Sequence, residues 1–432
     1  MDSLAPARKG LRVGFLSTRF IGTDGVSLET GKWAEALERL GHTCFYFAGA
    51  SDRENGRSRV VPEALFTHPD IKAIYTTAFS QRTRPRATTD LIHQLKEHLK
   101  AEIYAFVRDW DLDLLIPENA LAIPMNIPLG LALTEFIAET GMPTIAHHHD
   151  FFWERKRFLV NCAWDYLNMA FPPHLPSIHH VVINSSAANQ LSLRTGISSL
   201  LIPNVMDFDH PPVASDDYAR DARETLGVAA DELFFLQPTR VVQRKGIEHA
   251  MELINRLGLK ARLVISHASG DEGDAYERRL RDLAVELRVP TSFVSEHISD
   301  SRGRTADGHK IYTLADVYPL ADLVTYPSDV EGFGNAFLEA IYYRRPIVVN
   351  NYSIFDIDIK PKGFRVVEFD GFISDDTVRH VREVLGNRQL AQDMVEYNYR
   401  LGKLHYSYTV LERRLQMLLT ACFGEQPDPP TL

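Results

Sequence analysis

The chain has 432 residues, 45% apolar and 24% charged, which excludes the disordered and fibrous classes. Lysine and arginine total 47 against 57 aspartates and glutamates, a net charge of −10. A bulk electrostatic hold on nucleic acid or anionic lipid is therefore not expected, local basic patches aside. The cysteines Cys44, Cys162 and Cys422 are widely spaced and odd in number, so neither a disulfide framework nor a cysteine-type zinc site is expected, and a reducing cytosol is.

At roughly 150 residues per domain, this length suggests two or three domains. The first ten residues lack an apolar signal core, and the tail from Gln426 reads as frayed. The most apolar stretch, Ala120 to Phe136, is broken by Pro124, Asn126 and Pro128, so no segment reaches a membrane span.

In chain order, Arg12–Ser17 reads as a strand, Gly25–Leu40 as a helix and Cys44–Phe47 as a strand. Leu112–Ile116, Thr144–His149, Val181–Asn184 and Leu200–Ile202 follow as strands with helical spacing between them. Repeated strand–helix units imply a parallel sheet covered on both faces. A first doubly wound half therefore spans residues 1–207. The stretch from Asp207 to Asp217, rich in proline and aspartate, reads as a linker.

The pattern restarts over residues 218–402. Leu233–Gln237, Ala261–Ile265, Thr291–Val294, Leu323–Tyr326 and Pro346–Val349 are five more expected strands. Two helices, Gln389–Gly402 and Tyr408–Cys422, end the chain, and the second, with its stripe of Leu411, Leu415, Leu418 and Leu419, is expected to pack back on the first half over 408–423. The fold class is α/β, with two Rossmann-like domains and a cleft between the carboxyl ends of their strands.

The stretch from Tyr326 to Ala340 carries the clearest chemistry. A strand ends at Tyr326, a loop follows, and a helix is expected to start near Asn335 as its N-cap. Gly332 and Gly334 allow close backbone approach to a ligand, and helix-start N–H groups suit a phosphate or sugar hydroxyls. Glu331 and Glu339 flank that turn, and carboxylates accept from hydroxyls, so a sugar nucleotide fits; an ordinary glycine turn with helix-dipole glutamates is the alternative. In Gln237–Gly246, Arg240 and Lys245 follow the first strand of the second half and both suit a diphosphate.

In Ile145–Arg157, strand alternation puts His147 and His149 on one face and His148 on the other. A metal is disfavoured, because no further ligand falls at regular spacing. A histidine at the strand's carboxyl end, contacting substrate, is expected instead. Glu118 and Asn119 end an earlier strand and are placed facing the cleft. The first loop is not Gly-x-Gly-x-x-Gly, which weakens a nicotinamide reading. Gly25 to Gly31-Lys32 is one residue too long for a P-loop and has Trp33 in place of the magnesium-binding hydroxyl. Asp111-Leu-Asp113 matches a metal-binding Asp-x-Asp but is read as structural.

These residues resemble the retaining glycosyltransferases of family 4, which have the GT-B fold. The resemblance rests on Glu331 and Glu339 in Glu-Gly-Phe-Gly-Asn-Ala-Phe-Leu-Glu, on Arg240 with Lys245-Gly246, on Ile202-Pro-Asn204, and on His149-Asp150. Gly25-Val26 matches half of the family's Gly-Gly-Val, with Asp24 replacing a glycine. The resemblance implies that Glu339 binds the donor ribose and Glu331 the sugar hydroxyls. It implies that backbone groups of Phe333, Gly334, Asn335 and Ala336 hold the sugar or phosphates, that Gly25 adds a donor contact, and that Arg240 and Lys245 neutralise the leaving diphosphate. His149 would contact the donor sugar or polarise the acceptor region.

The expected donor is GDP-mannose or UDP-glucose, its base read by backbone around Thr291–Ser295, with no cofactor and a divalent metal at most stimulatory. Ser17-Thr-Arg-Phe20, the His147–Arg155 stretch and Val349–Asp358 look similar to the branch of this family that makes mannosylglucosylglycerate, a compatible solute. A small, soluble, anionic acceptor such as glucosylglycerate is therefore expected, met by Arg19, Asn119 and Arg155, with Arg157 nearby. Expected partners are the nucleotide sugar and this acceptor, with no nucleic acid and with a homodimer permitted. The competing readings are a sugar-nucleotide epimerase of the same fold, a phosphorylase, or a non-catalytic nucleotide-sugar binding protein.

Overall fold

The computed structural model describes residues 10–22, 25–213, 216–270, 273–305 and 307–424. The expectations on the first nine residues, on Asp24 and on the frayed tail lie outside the described residues. The chain forms two compact units, one running to Asn204 and resuming at Tyr408, the other spanning Val205–Ser407.

The first unit holds β1 (Arg12–Leu16), β2 (Thr43–Ala48), β3 (Ser58–Val60), β4 (Leu114–Pro117), β5 (Thr144–His148), β6 (Ile178–Val182) and β7 (Ser199–Leu201). They line up as β3-β2-β1-β4-β5-β6-β7, all parallel. Short runs of Val, Ile, Leu and Phe suit strands covered on both faces, and every residue of β4 is buried. β3 escapes sequence reading because Ser-Arg-Val is a half-exposed edge with no apolar run.

The prolines of the most apolar stretch mark a helix start. Asn126 caps the helix Ile127–Thr140 by accepting the Leu129 N–H at 3.0 Å, and Pro128 falls in the first turn, where no N–H is needed. Gly130 lets this helix approach Phe171, whose ring a methyl group there would meet at 2.2 Å. No described helix is long and apolar enough to cross a membrane. The helix Tyr408–Phe423 buries Leu411, Leu415, Leu418 and Leu419 within the first unit. Arg39, ending the helix Gly25–Arg39, stacks on Tyr408 at 4.7 Å and approaches Glu412 at 3.9 Å.

The second unit holds β8 (Leu233–Gln237), β9 (Ala261–Ile265), β10 (Thr291–Phe293), β11 (Gly303–Arg304), β12 (Lys310–Ile311), β13 (Leu323–Tyr326), β14 (Ile347–Asn350) and β15 (Val367–Phe369). Its parallel sheet runs β10-β9-β8-β13-β14-β15, and β11 and β12 form a separate antiparallel pair. Two doubly wound α/β units in one chain are the GT-B architecture.

The expected linker is not solvated throughout. Phe208 is 1% exposed, packs edge-on against Tyr342 and Tyr399 of the second unit, and fills the space left by Gly402. One aromatic among prolines and aspartates has no periodicity to betray it.

Candidate active site

In both sheets the strand order reverses next to the first strand, between β1 and β4 and between β8 and β13. Ligands of open α/β sheets bind outside the carboxyl ends of strands at such a switch point. In the second unit, the loop after β8 carries Arg240 and Lys245, and the loop after β13 carries Glu331. A buried chain ties these strands together: Thr325 donates to Gln237 at 2.7 Å, and Gln237 to Thr239 at 2.7 Å.

The two loops meet. The Asp329 N–H donates to the Arg244 carbonyl at 2.9 Å. Gly246 has φ 55°, and a Cβ there would fall 2.5 Å from the Pro327 carbonyl oxygen, so only glycine fits. Lys245 bonds directly to Glu331, with Arg244 at 3.8 Å from the same carboxylate. Burial pushes the Lys245 pKa down, against the pull of Glu331. Its ammonium also lies 5.7 Å from the centre of the Tyr326 ring. Arg240 is exposed, and its charge, with that of Lys245, acts on His267 at the end of β9. Burial first, then those cations, hold the His267 pKa at about 4, so the ring is neutral beside them.

The helix Asn335–Tyr342 begins after Gly334, which corrects the expected cap: Gly334 is the N-cap, at φ 137°, and Asn335 is the first helical residue. A Cβ on Gly334 would meet the Tyr352 hydroxyl at 2.4 Å; that hydroxyl donates to the Phe333 carbonyl at 2.8 Å. Phe333 and Ala336 are buried. Glu339 accepts from the Tyr318 hydroxyl at 2.7 Å. Arg244, His267, Tyr318 and Tyr326 were not singled out by sequence; only Arg244, inside Arg-Lys-Gly, carried a signal.

In the first unit, Glu118 follows β4 and the histidines end β5. Glu118 is fully buried, and one of its oxygens, Oε2, accepts from His147 Nδ1 at 2.9 Å and His149 Nε2 at 3.1 Å. Burial opposes the Glu118 charge, yet the two histidines hold its pKa below the usual carboxylate range. His147 stacks on Trp33 at 4.1 Å, with burial pushing its pKa down. Burial is the largest influence on His149 and opposes its charge, but the bond and charge of Glu118 together with Glu29 and Asp150 raise the pKa on balance. These three donor atoms lie within 4.8 Å of one another, close enough to hold a metal ion, a grouping that the sequence spacing of the histidines alone did not reveal. His148 faces away, its Nε2 2.9 Å from His180 Nδ1.

Asn119, at φ 58°, accepts the His149 N–H at 3.0 Å and donates to Asp150 at 2.9 Å. Arg155 bonds to the other oxygen of Asp150. Asn119, His149 and Arg155 therefore belong to one network. Arg19 lies apart, over the Phe66 ring at 5.2 Å, and Arg157 lies over Phe158 at 4.7 Å. Gly25 opens its helix at an exposed position. Asp111 ends the helix Arg86–Trp110 in the left-handed region, and Asp113 accepts the Arg12 N–H at 2.8 Å, which gives both a structural role.

Residues 219–401 match the family model described as "Glycosyl transferases group 1". The chain is 31% identical over 422 residues to the mannosylglucosylglycerate synthase of Thermotoga maritima, covering 90% of this chain and 95% of that protein. Among solved structures, it superposes on a glycosyltransferase from Rickettsia africae with TM-score 0.68 at 13% identity, covering 96% of this chain and 100% of that one. It superposes on Anabaena Alr3699/HepE, solved in complex with UDP-glucose, with TM-score 0.64 at 12% identity, covering 95% and 100%. The family match over the second unit and a relative aligned over nearly the full length lead to one assignment: the chain is a glycosyltransferase of group 1, belonging to the family 4-like GT-B enzymes and resembling the mannosylglucosylglycerate synthase branch.

Proposed function

We propose that the protein is a cytoplasmic retaining hexosyltransferase that moves mannose or glucose from a nucleoside diphosphate sugar to a small, soluble, anionic acceptor such as glucosylglycerate. The observation that carries this reading is the meeting of Lys245, Arg244 and Glu331 at the β8/β13 switch point, supported by the relative that makes mannosylglucosylglycerate. When the donor enters, its diphosphate takes up Lys245 and Arg240, and its hexose hydroxyls take up Glu331. Glu339 receives the ribose. The first-turn N–H groups around Phe333, Gly334, Asn335 and Ala336 lie beyond the reach of the helix's own carbonyls and meet the sugar or the phosphates. Gly25 adds a donor contact in this reading.

Breaking the bond between the anomeric carbon and the phosphate oxygen makes the sugar oxocarbenium-like and places negative charge on the diphosphate. Fixed cations stabilise that charge, and removing one such group costs about 3 kcal/mol. The acceptor hydroxyl attacks from the face of departure, so the anomeric configuration is kept, and its proton ends on the released diphosphate. Neutralisation by side chains leaves no step that needs a metal. His149 contacts the donor sugar or polarises the acceptor region, and Arg19, Asn119 and Arg155 meet the acceptor.

Incubation with GDP-mannose or UDP-glucose and glucosylglycerate tests this. Nucleoside diphosphate should appear only with acceptor present, the product should keep the donor's anomeric configuration, and a chelator should leave turnover in place. Turnover restricted to lipid-linked acceptors defeats the acceptor assignment.

A further inference from the structure

Glu118 stands out because no part of the reaction described above uses it, although it is fully buried at the first sheet's switch point. Its backbone is fixed from two sides: its N–H donates to the Leu16 carbonyl at 2.8 Å, and its carbonyl accepts from the Ser17 hydroxyl at 3.1 Å. Its side chain is 0% exposed, and Oε2 lies within hydrogen-bond distance of two imidazole nitrogens while Oε1 has no hydrogen-bond partner among the described residues. A buried carboxylate that accepts from both rings requires a proton on each facing nitrogen, Nδ1 of His147 and Nε2 of His149.

The two histidines then differ in what they have left. His147 stacks on Trp33, and its remaining nitrogen, Nε2, is buried without a hydrogen-bond partner among the described residues. His149 is 9% exposed, and its remaining nitrogen, Nδ1, has no bond among the described residues and is not sealed from solvent. The ring of His149 is further aligned through its own backbone, held by Asn119.

We propose that Glu118 is a positioning residue for sugar transfer: it holds the proton of His149 on Nε2 and so presents Nδ1 as a hydrogen-bond acceptor to a substrate hydroxyl. This rests on the functional reading above for the identity of the substrate, but the placement of the proton does not. His147, sharing the same oxygen, keeps the carboxylate ionised and stops it from rotating away. The other charged groups around His149 are Glu29 from the helix Gly25–Arg39, which is paired with Lys32 at 3.0 Å, and Asp150, which is bonded to Arg155. Burial of His149 opposes its charge, and Glu118, Glu29 and Asp150 together more than offset it, consistent with carboxylates that support a proton on this ring.

The test is histidine ¹⁵N NMR on the full chain, with the His149 and His147 signals assigned by their loss in His149→Gln and His147→Gln. In the unaltered protein the neutral His149 ring should carry its proton on Nε2 and titrate above about 6.5. In Glu118→Gln the titration should move to lower pH, the acid limb of kcat/KM should move with it, and kcat should fall at least tenfold with Glu118→Asp restoring part of it. A neutral ring protonated on Nδ1, a titration unmoved by Glu118→Gln, or one tightly bound zinc per chain replacing both N–H groups overturns the proposal. Should Glu118→Gln fail to fold, the tautomer and titration of the unaltered protein decide. A chain with the expected His149 signals that transfers no hexose counts against the functional reading and supports the proton placement, whereas full transfer by Glu118→Gln overturns the positioning role.

Discussion

Lys245 and Glu331 are 86 residues apart in the chain and bond directly to each other at the carboxyl edge of the second sheet. Each satisfies the other, so a buried cation and a nearly buried carboxylate hold one another in place. Because burial depresses the Lys245 pKa, the ammonium is lost at a pH below the ordinary lysine value of about 10.4. The alkaline limb of kcat/KM should therefore lie below that value. Lys245→Arg, whose guanidinium does not deprotonate, should move the limb upward, and Lys245→Ala should lower kcat/KM about 100-fold, in line with roughly 3 kcal/mol for a lost charge stabiliser. A pH-rate series on the three proteins checks this; an alkaline limb unmoved in the arginine variant removes Lys245 from the chemistry.

Gly334 makes a second prediction. At φ 137° any side chain is strained, and a Cβ would also press on the Tyr352 hydroxyl at 2.4 Å. Gly334→Ala should cost about 2 kcal/mol of stability and shift the helix start that carries Asn335 and Ala336. Adding Tyr352→Phe removes the clash but not the backbone strain, so the double variant should recover part of the loss. Denaturant titrations of both variants measure it, and equal stability of the single and double variants would show that the contact is not tight.

The distribution of these features explains what could be read from sequence. The strands β4, β5, β8, β9 and β13 are short apolar runs whose pattern follows directly from burial on both faces, and the Glu331–Glu339 turn joins them with glycines that few other structures demand. β3 and β15 have three residues each at sheet edges, too short to show a pattern, and β3 is half-exposed besides. The Glu118–His147–His149 cluster depends on register: Glu118 pairs with His147 across a parallel bridge, a relationship created by the order of β4 and β5 and invisible to spacing along the chain. Arg155 shows a second limit of spacing: the sequence places it near Asp150 but does not show that its guanidinium is bonded to that carboxylate, with which an acceptor carboxylate has to compete.

Phe208 tests the corrected view of the linker. Its ring lies 5.3 Å from Tyr399 and 5.7 Å from Tyr342, its carbonyl accepts from the Tyr399 hydroxyl at 3.0 Å, and a Cβ on Gly402 would come within 2.6 Å of it. Phe208→Ala should cost about 3 kcal/mol, a penalty no solvated linker residue would impose. Gly402→Ala should also destabilise the native protein, and should do so less in the Phe208→Ala background, where the cavity accepts the methyl group. Thermal unfolding of the four proteins in this cycle gives the coupling; additive effects would place Phe208 outside the core.

The buried pair His148 and His180 sets the acid limit of the fold. Their facing nitrogens are 2.9 Å apart, which requires one donor and one acceptor, while the outer nitrogen of His148 is buried without a partner among the described residues. Burial pushes both pKa values down, that of His180 to about 4, with His174 and His179 adding to the effect. The unfolded chain binds protons at these rings below about pH 6.5 and the folded chain resists them, so stability should fall as pH drops from there toward about 4. For His180 alone the loss amounts to about 2–3 kcal/mol at pH 4.5. Replacing both rings by leucine removes donor and acceptor together, which avoids leaving either one orphaned. Urea unfolding at pH 7.5 and 4.5 should then show the double variant losing at least about 2 kcal/mol less between the two pH values than the unaltered chain; an unchanged difference would mean that acid unfolding is driven by carboxylates elsewhere.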